Sequence, residues 1–171
     1  FALLNPLDED EQKNLEIVDE DLQLSDRWIL SRLARANQET AKRYQTYNLG
    51  EAAKGLYEFA WNDFCDWYLE LIKKRLNAKE GSDKQILKDQ KTAQKVMVKV
   101  LCDLLTMLNP LMPHLTEELW HSLTKTPHTN FLSLQLWPTV NTQDLNQELE
   151  DSFENIIEAI RVVRNLRALA D

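Results

Sequence analysis

Between Leu56 and Leu71 the chain reads L-Y-E-F-A-W-N-D-F-C-D-W-Y-L-E-L. Flat rings at this density offer surfaces on which unpaired nucleic-acid bases can stack, provided basic groups stand nearby. At about 100° per residue, Ala52, Ala53, Leu56, Phe59, Ala60, Phe64, Trp67 and Leu71 share one helix face. Tyr57, Trp61, Cys65, Tyr68 and Ile72 form a second stripe about 120° away. A surface helix normally carries one apolar stripe. Two stripes mean either a rod at the centre of a bundle or a second face left for a partner, and periodicity alone favours core.

Other residues capable of chemistry do not assemble into a catalytic pattern. His114 and His121 lie two turns apart on one helix, and His128 sits in a loop. None has a Ser or Cys at nucleophile spacing, and none has the i,i+4 or paired-cysteine spacing that metal binding requires. Glu117 and Glu118 imitate an acid/base pair, but adjacent helical residues point about 100° apart. Near a helix start they suit the positive end of the dipole. Cys65 and Cys102, with no CxxC and no Cys/His cluster, read as buried free thiols of a reducing cytoplasm. There is no P-loop, no GxGxxG and no carboxylate set for Mg²⁺. The chain by itself is expected to be no enzyme, and to need no cofactor or metal.

The elements that must position these groups are helices. Only 3 glycines occur, and few segments alternate with period two. Residues 1–24 form an acidic connector with little core of its own. Ser25 is the expected N-cap of a first helix reaching Tyr44, which buries Trp28, Ile29, Leu33, Ala36 and Thr40. Tyr47 and Asn48 make a turn, and the aromatic helix runs from Leu49 to Asn77. After a loop at 78–83, a third helix to Leu108 builds its face from Val96, Met97, Val100, Leu101, Leu104, Leu105 and Leu108. Asn109-Pro110 ends it. A shorter helix opens at Pro113 and turns Leu115, Leu119, Trp120 and Leu123 inward. Residues 131–137 alternate enough for one short extended strand. A last helix, Asp144–Ala170, buries Phe153, Ile156, Ile157, Ile160, Val163 and Leu166. The expected fold is all-α: four long helices plus one shorter helix, with at most that one strand, in a helical domain spanning 25–171.

Composition agrees with a globular domain of 171 residues, 43% hydrophobic and 28% charged. No run of 18 uncharged apolar residues is present, so no membrane span is expected. The chain opens on Phe1 rather than Met, which suggests a piece of a longer polypeptide. A net charge of −8 argues against nucleic acid until its distribution is considered. Residues 1–26 carry 9 acids against Lys13 alone; residues 27–99 carry 15 basic and 9 acidic groups; residues 100–171 carry 4 basic and 10 acidic. Only the middle of the chain would welcome a phosphate backbone.

Six word-like blocks occur in order: S-D-R-W-I-L-S-R-L (25–33), Y-N-L-G-E-A-A (47–53), L-Y-E-F-A-W-N-D-F-C-D-W-Y-L-E (56–70), L-N-P-L-M-P-H-L-T-E-E-L-W (108–120), L-W-P (136–138) and I-R-V-V-R-N-L-R-A (160–168). Together they resemble the anticodon-binding domain of class I aminoacyl-tRNA synthetases over nearly the whole chain, and within that family most closely the valine enzymes. The resemblance implies a cytoplasmic helical bundle gripping the anticodon stem-loop of valine tRNAs. It also implies a monomeric parent whose separate catalytic domain uses ATP to charge the tRNA with valine. The HIGH and KMSKS signatures of that catalytic domain, the editing domain and the C-terminal coiled-coil arm have no counterpart in these residues. Partners implied are therefore tRNA and the remaining domains of the parent synthetase.

With that partner in view, the candidate contacts are Tyr57 and Trp61 as stacking surfaces, with Arg43 and Lys54 holding phosphate or base. Lys73 and Arg75, in the K-K-R cluster that ends the aromatic helix, are candidates for backbone contact, although cations there also suit the helix dipole. Arg161, Arg164 and Arg167 form a basic stripe on the last helix. The rival expectation is a helical protein-interaction domain that keeps the bundle without binding tRNA; the acidic connector suits it, whereas the six blocks favour tRNA.

Overall fold

The computed structural model describes residues 15–77, 83–127 and 129–170, together with Ala2 and Leu7. Five helical rods order the described residues. They are α1 (Leu24–Gln45); a continuous rod of α2 (Leu49–Glu58), a π-helical segment (Phe59–Tyr68) and α3 (Leu69–Leu76); α4 (Lys84–Leu108); the short α5 (Pro113–Thr124); and α6 (Gln147–Ala170). The all-α bundle of four long helices and one shorter helix is as expected. The 78–82 loop, His128 and most of the acidic 1–24 connector lie outside the described residues. From that connector Leu7 is buried, while Ala2, Ile17 and Leu22 pack against the core.

The core joins Trp28, Ile29 and Leu33 of α1 to Leu56, Phe59, Phe64 and Ile72 of the second rod and to Val96, Met97, Val100 and Leu104 of α4. Each such side chain contributes about 1.5–3 kcal/mol on leaving water. A smaller cluster of Leu105, Trp120 and Leu132 closes the far end.

The second rod departs from simple periodicity. Its buried positions run Ala52, Leu56, Phe59 and then Phe64, Trp67, Tyr68, Ile72, Leu76. The five-residue step from Phe59 to Phe64 belongs to the π segment, whose wider turn advances each residue by less than an α turn does. Beyond it the faces are re-phased. Tyr68 and Ile72, expected on the second stripe, are fully buried, and Leu71, expected in the core, is 45% exposed. Cys65 is also exposed rather than buried, whereas burial pushes the Cys102 thiol up to about 12.

Re-phasing lets Tyr68 and Arg75 reach one buried carboxylate. Asp26 of α1, with no exposed surface, accepts hydrogen bonds from the Tyr68 hydroxyl and from Arg75 Nη1, both at 2.8 Å. Arg75 Nη2 pairs with Asp89 of α4 at 2.8 Å, and Gln23 Nε2 donates to the same carboxylate at 2.9 Å. Burial, then Asp26, raises the Tyr68 hydroxyl well above its ordinary range, so it stays a donor. Asp26 also accepts from the Gln23 backbone N–H at 3.0 Å, which makes Gln23 rather than Ser25 the cap of α1.

A second set of polar contacts docks α6. Glu150 is buried, accepts from the Ser31 hydroxyl and from Arg35 Nε at 2.8 Å, and lies 3.1 Å from Arg32 Nη1. Ser31 in turn accepts the Asn146 backbone N–H at 2.9 Å. Phe153 stacks on Trp28 with ring centroids 5.0 Å apart. The expected inward face is only partly covered: Ile157 is buried and Phe153 and Ile160 pack against the core, but Ile156, Val163 and Leu166 are 54%, 56% and 61% exposed. The first turns of α6 hold to α1, and farther along its apolar face is exposed while Arg164 lies over the Trp67 ring of the second rod. Its start is also later than expected, because Thr142–Asp144 form a 3₁₀ turn of their own.

Two further expectations are corrected. Residues 131–137 make no strand; Leu132–Leu134 form a 3₁₀ turn with Leu132 buried. The cause is local: Glu117 accepts the Leu132 backbone N–H at 2.7 Å, so this backbone pairs with a side chain instead of a strand. In α5, Trp120 is buried and Leu123 packs beside it as expected, but Leu115 and Leu119 are 55% and 46% exposed, and Thr116 and His121 are buried in their place. The Asn109 amide donates to the Thr116 hydroxyl at 3.0 Å and turns that face inward. The L-W-P word is structural too. Trp137 Nε1 donates to Asn37 Oδ1 at 2.6 Å, and Asn37 returns a bond to the Pro138 carbonyl at 2.8 Å.

Removing Arg75 would leave the Asp26 charge buried and unpaired. Arg75→Ala is therefore expected to lower unfolding free energy by about 3–5 kcal/mol in urea titrations. The control Lys73→Ala, an exposed group paired with Glu70, should stay within about 0.5 kcal/mol. Glu150 generates a pH dependence. Burial alone would raise its carboxyl, but hydrogen bonds from Arg35, Ser31 and Arg32 outweigh this and hold it below the ordinary range. Its stabilising contribution is complete above the unfolded carboxylate range and is lost as pH falls through the lowered folded value. Across that acid range Glu150→Gln should start from a lower urea midpoint and lose less of it than the parent chain.

Candidate nucleic-acid interface

Tyr57 and Trp61 lie one turn apart on the outer face of the second rod, where α2 passes into the π segment. They are 65% and 56% exposed, with their rings parallel within 2° and centroids 6.4 Å apart. This half of the second stripe is the part that the core leaves uncovered. Two parallel rings facing water form a platform whose π faces accept any base. Lys54, 64% exposed, stands one turn before this pair, its Nζ 4.0 Å from Glu58.

Arg43 approaches from α1. Its guanidinium folds over Gly55, donating from Nη1 to the Glu51 carbonyl at 3.0 Å and pairing through Nη2 with Glu39 at 3.1 Å. A Cβ on residue 55 would come 2.2 Å from Arg43 Nη1, so the absence of a side chain there makes room for the cation. Arg43 also lines a polar groove of about 340 Å³ between α1, the second rod and α6, with Arg32, Arg35, Glu58, Asn62 and Arg161. Glu58 and Asn62 adjoin Tyr57 and Trp61 in sequence, so groove and ring platform occupy neighbouring stripes of one rod.

The groove guanidinium groups are held rather than free. Arg32 Nε lies 2.8 Å from Asp63 and its Nη1 reaches Glu150. Burial raises the Asp63 carboxyl, with Arg32 opposing that effect. Fixing a guanidinium on one edge leaves its remaining donors and its plane oriented for a ligand at small further entropic cost.

The structure thus brings Arg43, Lys54, Tyr57 and Trp61 to one side of the molecule and separates the other two candidates. Lys73 lies about 18 Å farther along the rod, at 1.5 Å per residue from Trp61, and pairs with Glu70. Arg75 turns inward to Asp26 and Asp89, its side chain 8% exposed. Sequence reading missed Arg32, Arg35 and Asn62. The signal available was the S-R-L-A-R run, in which two arginines three apart share a helix face. Of the basic stripe on α6, Arg161 joins the groove and Arg164 sits 5.5 Å over the Trp67 ring.

A family model described as the anticodon-binding domain of tRNA ligase matches residues 26–170. The chain is 64% identical over 171 residues to a valine–tRNA ligase of Prochlorococcus marinus (strain NATL2A), covering 99% of the chain and 18% of that ligase. It is 59% identical over 170 residues to the valine–tRNA ligase of Parasynechococcus marenigrum (strain WH8102), covering 99% of the chain and 19% of that protein. Identity to the Thermosynechococcus vestitus valine–tRNA ligase is 49% over 151 residues, 88% of the chain and 16% of the relative. The chain therefore spans less than a fifth of the length of the relatives it matches. Among its described residues no helix is long and apolar enough to cross a membrane. With that match covering the bundle from Asp26 to Ala170, the chain belongs to the anticodon-binding domain family of the tRNA ligases.

Proposed function

We propose that this chain recognises the anticodon stem-loop of valine tRNAs on behalf of a longer valine–tRNA ligase, in which a separate ATP-using domain attaches the amino acid. The observation that carries the reading is the exposed, parallel Tyr57–Trp61 pair in a chain of this family. A buried pair would be core; one facing water beside Lys54 and the Arg43 groove supplies stacking faces and phosphate donors together. In this reading Tyr57 and Trp61 stack on loop bases, Arg43 and Lys54 hold phosphate or base edges, and Lys73 adds a distant backbone contact. Arg75 acts through the fold, by holding the rod that carries the others. The module works in the cytoplasm as part of a monomeric enzyme.

Binding to a transcript with a valine anticodon is expected to weaken steeply as salt rises, because phosphate contacts release counterions. A transcript altered only in its anticodon bases should bind more weakly at the same salt. Equal affinity for the two in a titration at moderate salt would overturn the anticodon reading and favour a protein-binding bundle. Trp61→Ala should cost about 1–3 kcal/mol of tRNA affinity per stacked base lost. Its effect on unfolding should be well under the about 3–5 kcal/mol typical of a buried tryptophan.

Gly55→Ala separates the role of Arg43 from stability. A methyl there improves helix propensity by about 1 kcal/mol while displacing a flexible side-chain end rather than backbone. The variant should melt no lower than the parent chain and bind tRNA more weakly. Unchanged binding would remove Arg43 from the site.

A further inference from the structure

The polar groove beside the ring platform holds one polar side chain that neither the packing nor the ion pairs use. Among the described residues every charged side chain lining it is paired, from the tight Arg32–Asp63 contact at 2.8 Å to the looser Arg161–Glu154 contact at 4.0 Å. Asn62 stands apart. It is exposed, it lines the groove, and among the described residues its amide makes no hydrogen bond. Asparagine is also a weak helix former, because its short side chain competes for nearby backbone groups. In the middle of a helical rod, with no bond of its own, it gives the bundle nothing that alanine would not.

Its position gives the amide a use. Asn62 follows Trp61 directly, and the π turn sets successive side chains closer together than the about 100° of an α turn. A base lying flat on the Trp61 ring can thus turn one edge toward the groove mouth, where the Asn62 amide stands. That amide offers an N–H donor and a carbonyl acceptor side by side. Adenine answers both at once: its 6-amino group donates to the carbonyl while a ring nitrogen accepts from the amide N–H, the bidentate pair that asparagine makes with this base. Guanine carries a carbonyl in place of the 6-amino group, so the same register would set two oxygens against each other. Every valine codon has uridine at its centre, so every valine anticodon presents an adenine there.

We infer that Asn62 reads an adenine of the anticodon: the base stacks on Trp61, and its edge pairs with the Asn62 amide at the mouth of the groove. The inference rests on the proposed anticodon reading and adds to it the group that tells one base from another. Trp61 supplies a face that accepts any base. Asn62 supplies the choice.

The experiment titrates the chain with anticodon stem-loops that differ only at the central anticodon base: adenine, guanine, or purine, which keeps the ring system but lacks the 6-amino group. The unsubstituted chain is expected to prefer adenine over guanine by about 5- to 150-fold, the discrimination of one bidentate pair. Asn62→Ala should bring that ratio close to unity while melting no lower than the parent chain, because alanine is the better helix former. Asn62→Asp, whose carboxylate only accepts, should turn the preference toward guanine, whose N1–H and 2-amino group stand side by side as donors. Ratios between stem-loops cancel the uniform cost of the added negative charge. Replacing adenine by purine should weaken binding to the unsubstituted chain and weaken it no further in Asn62→Ala, the non-additivity of two groups in contact. An adenine-to-guanine ratio unchanged in both variants would overturn the inference and leave the anticodon reading standing. A ratio that falls in Asn62→Ala only together with its melting temperature would also overturn it, by assigning Asn62 to the fold. No preference in the unsubstituted chain would bring down the anticodon reading and the inference together.

Discussion

A carboxylate with no exposed surface holds this bundle in register. Asp26 sits on α1, and the groups that satisfy it come from both sides of the π segment's exit and, through Arg75, from α4. Removing a charge from water is costly unless its lone pairs are met by well-placed donors. Asp26 is met by a phenol, a guanidinium and a backbone N–H, which makes the arrangement intolerant of slippage. A plain α-helix through residues 59–68 would carry Tyr68 and Arg75 round the axis and away from Asp26. The wider π turn, the burial of Ile72 and Leu76, and the outward aim of Leu71 thus express one constraint.

The same constraint divides the aromatic block. Phe59, Phe64, Trp67 and Tyr68 go to the core because the rod is re-phased between them, and Tyr57 and Trp61 are left on the water side of that change. π segments concentrate at functional sites because the inserted residue releases a side chain from the packing stripe. Here the released neighbours are Asn62 and Asp63, both of which line the polar groove. Core and candidate interface are therefore two outcomes of a single local geometry rather than separate designs.

Helix number, lengths and the faces of α1 and α4 were legible from the apolar spacing, since Trp28, Ile29, Val96, Met97 and Val100 follow a 3.6-residue period with nothing to disturb it. The failures share a cause. Leu71 was misplaced because periodicity assumes an α turn throughout. Leu115 and Leu119 were misplaced because the Asn109–Thr116 bond, a polar contact with no signature in hydrophobic spacing, sets the roll of α5. The strand at 131–137 was an alternation without a partner. Of the candidate site, Tyr57, Trp61, Lys54 and Arg43 could be found from residue type and wheel angle. Arg75 could not be told apart from its exposed neighbours Lys73 and Lys74, because its partners Asp26 and Asp89 lie 49 and 14 residues away. Arg32 and Arg35 gain their place from Glu150, on a helix more than a hundred positions later.

The shape of α6 has a mechanical consequence. Its first turns are clamped to α1 through Glu150, Ser31 and the Trp28–Phe153 stack, while the ten residues after Ile160 extend for about 15 Å. A rigid rod fixed at one end is a lever. A small rotation at the clamp becomes a displacement of ångströms at the tip, and Arg161, which lines the polar groove, sits just beyond the fulcrum. Anything that shifts the arginines around Glu150 would therefore be reported toward the tip of α6 as an angular swing, opposed by the contact of Arg164 with the Trp67 ring.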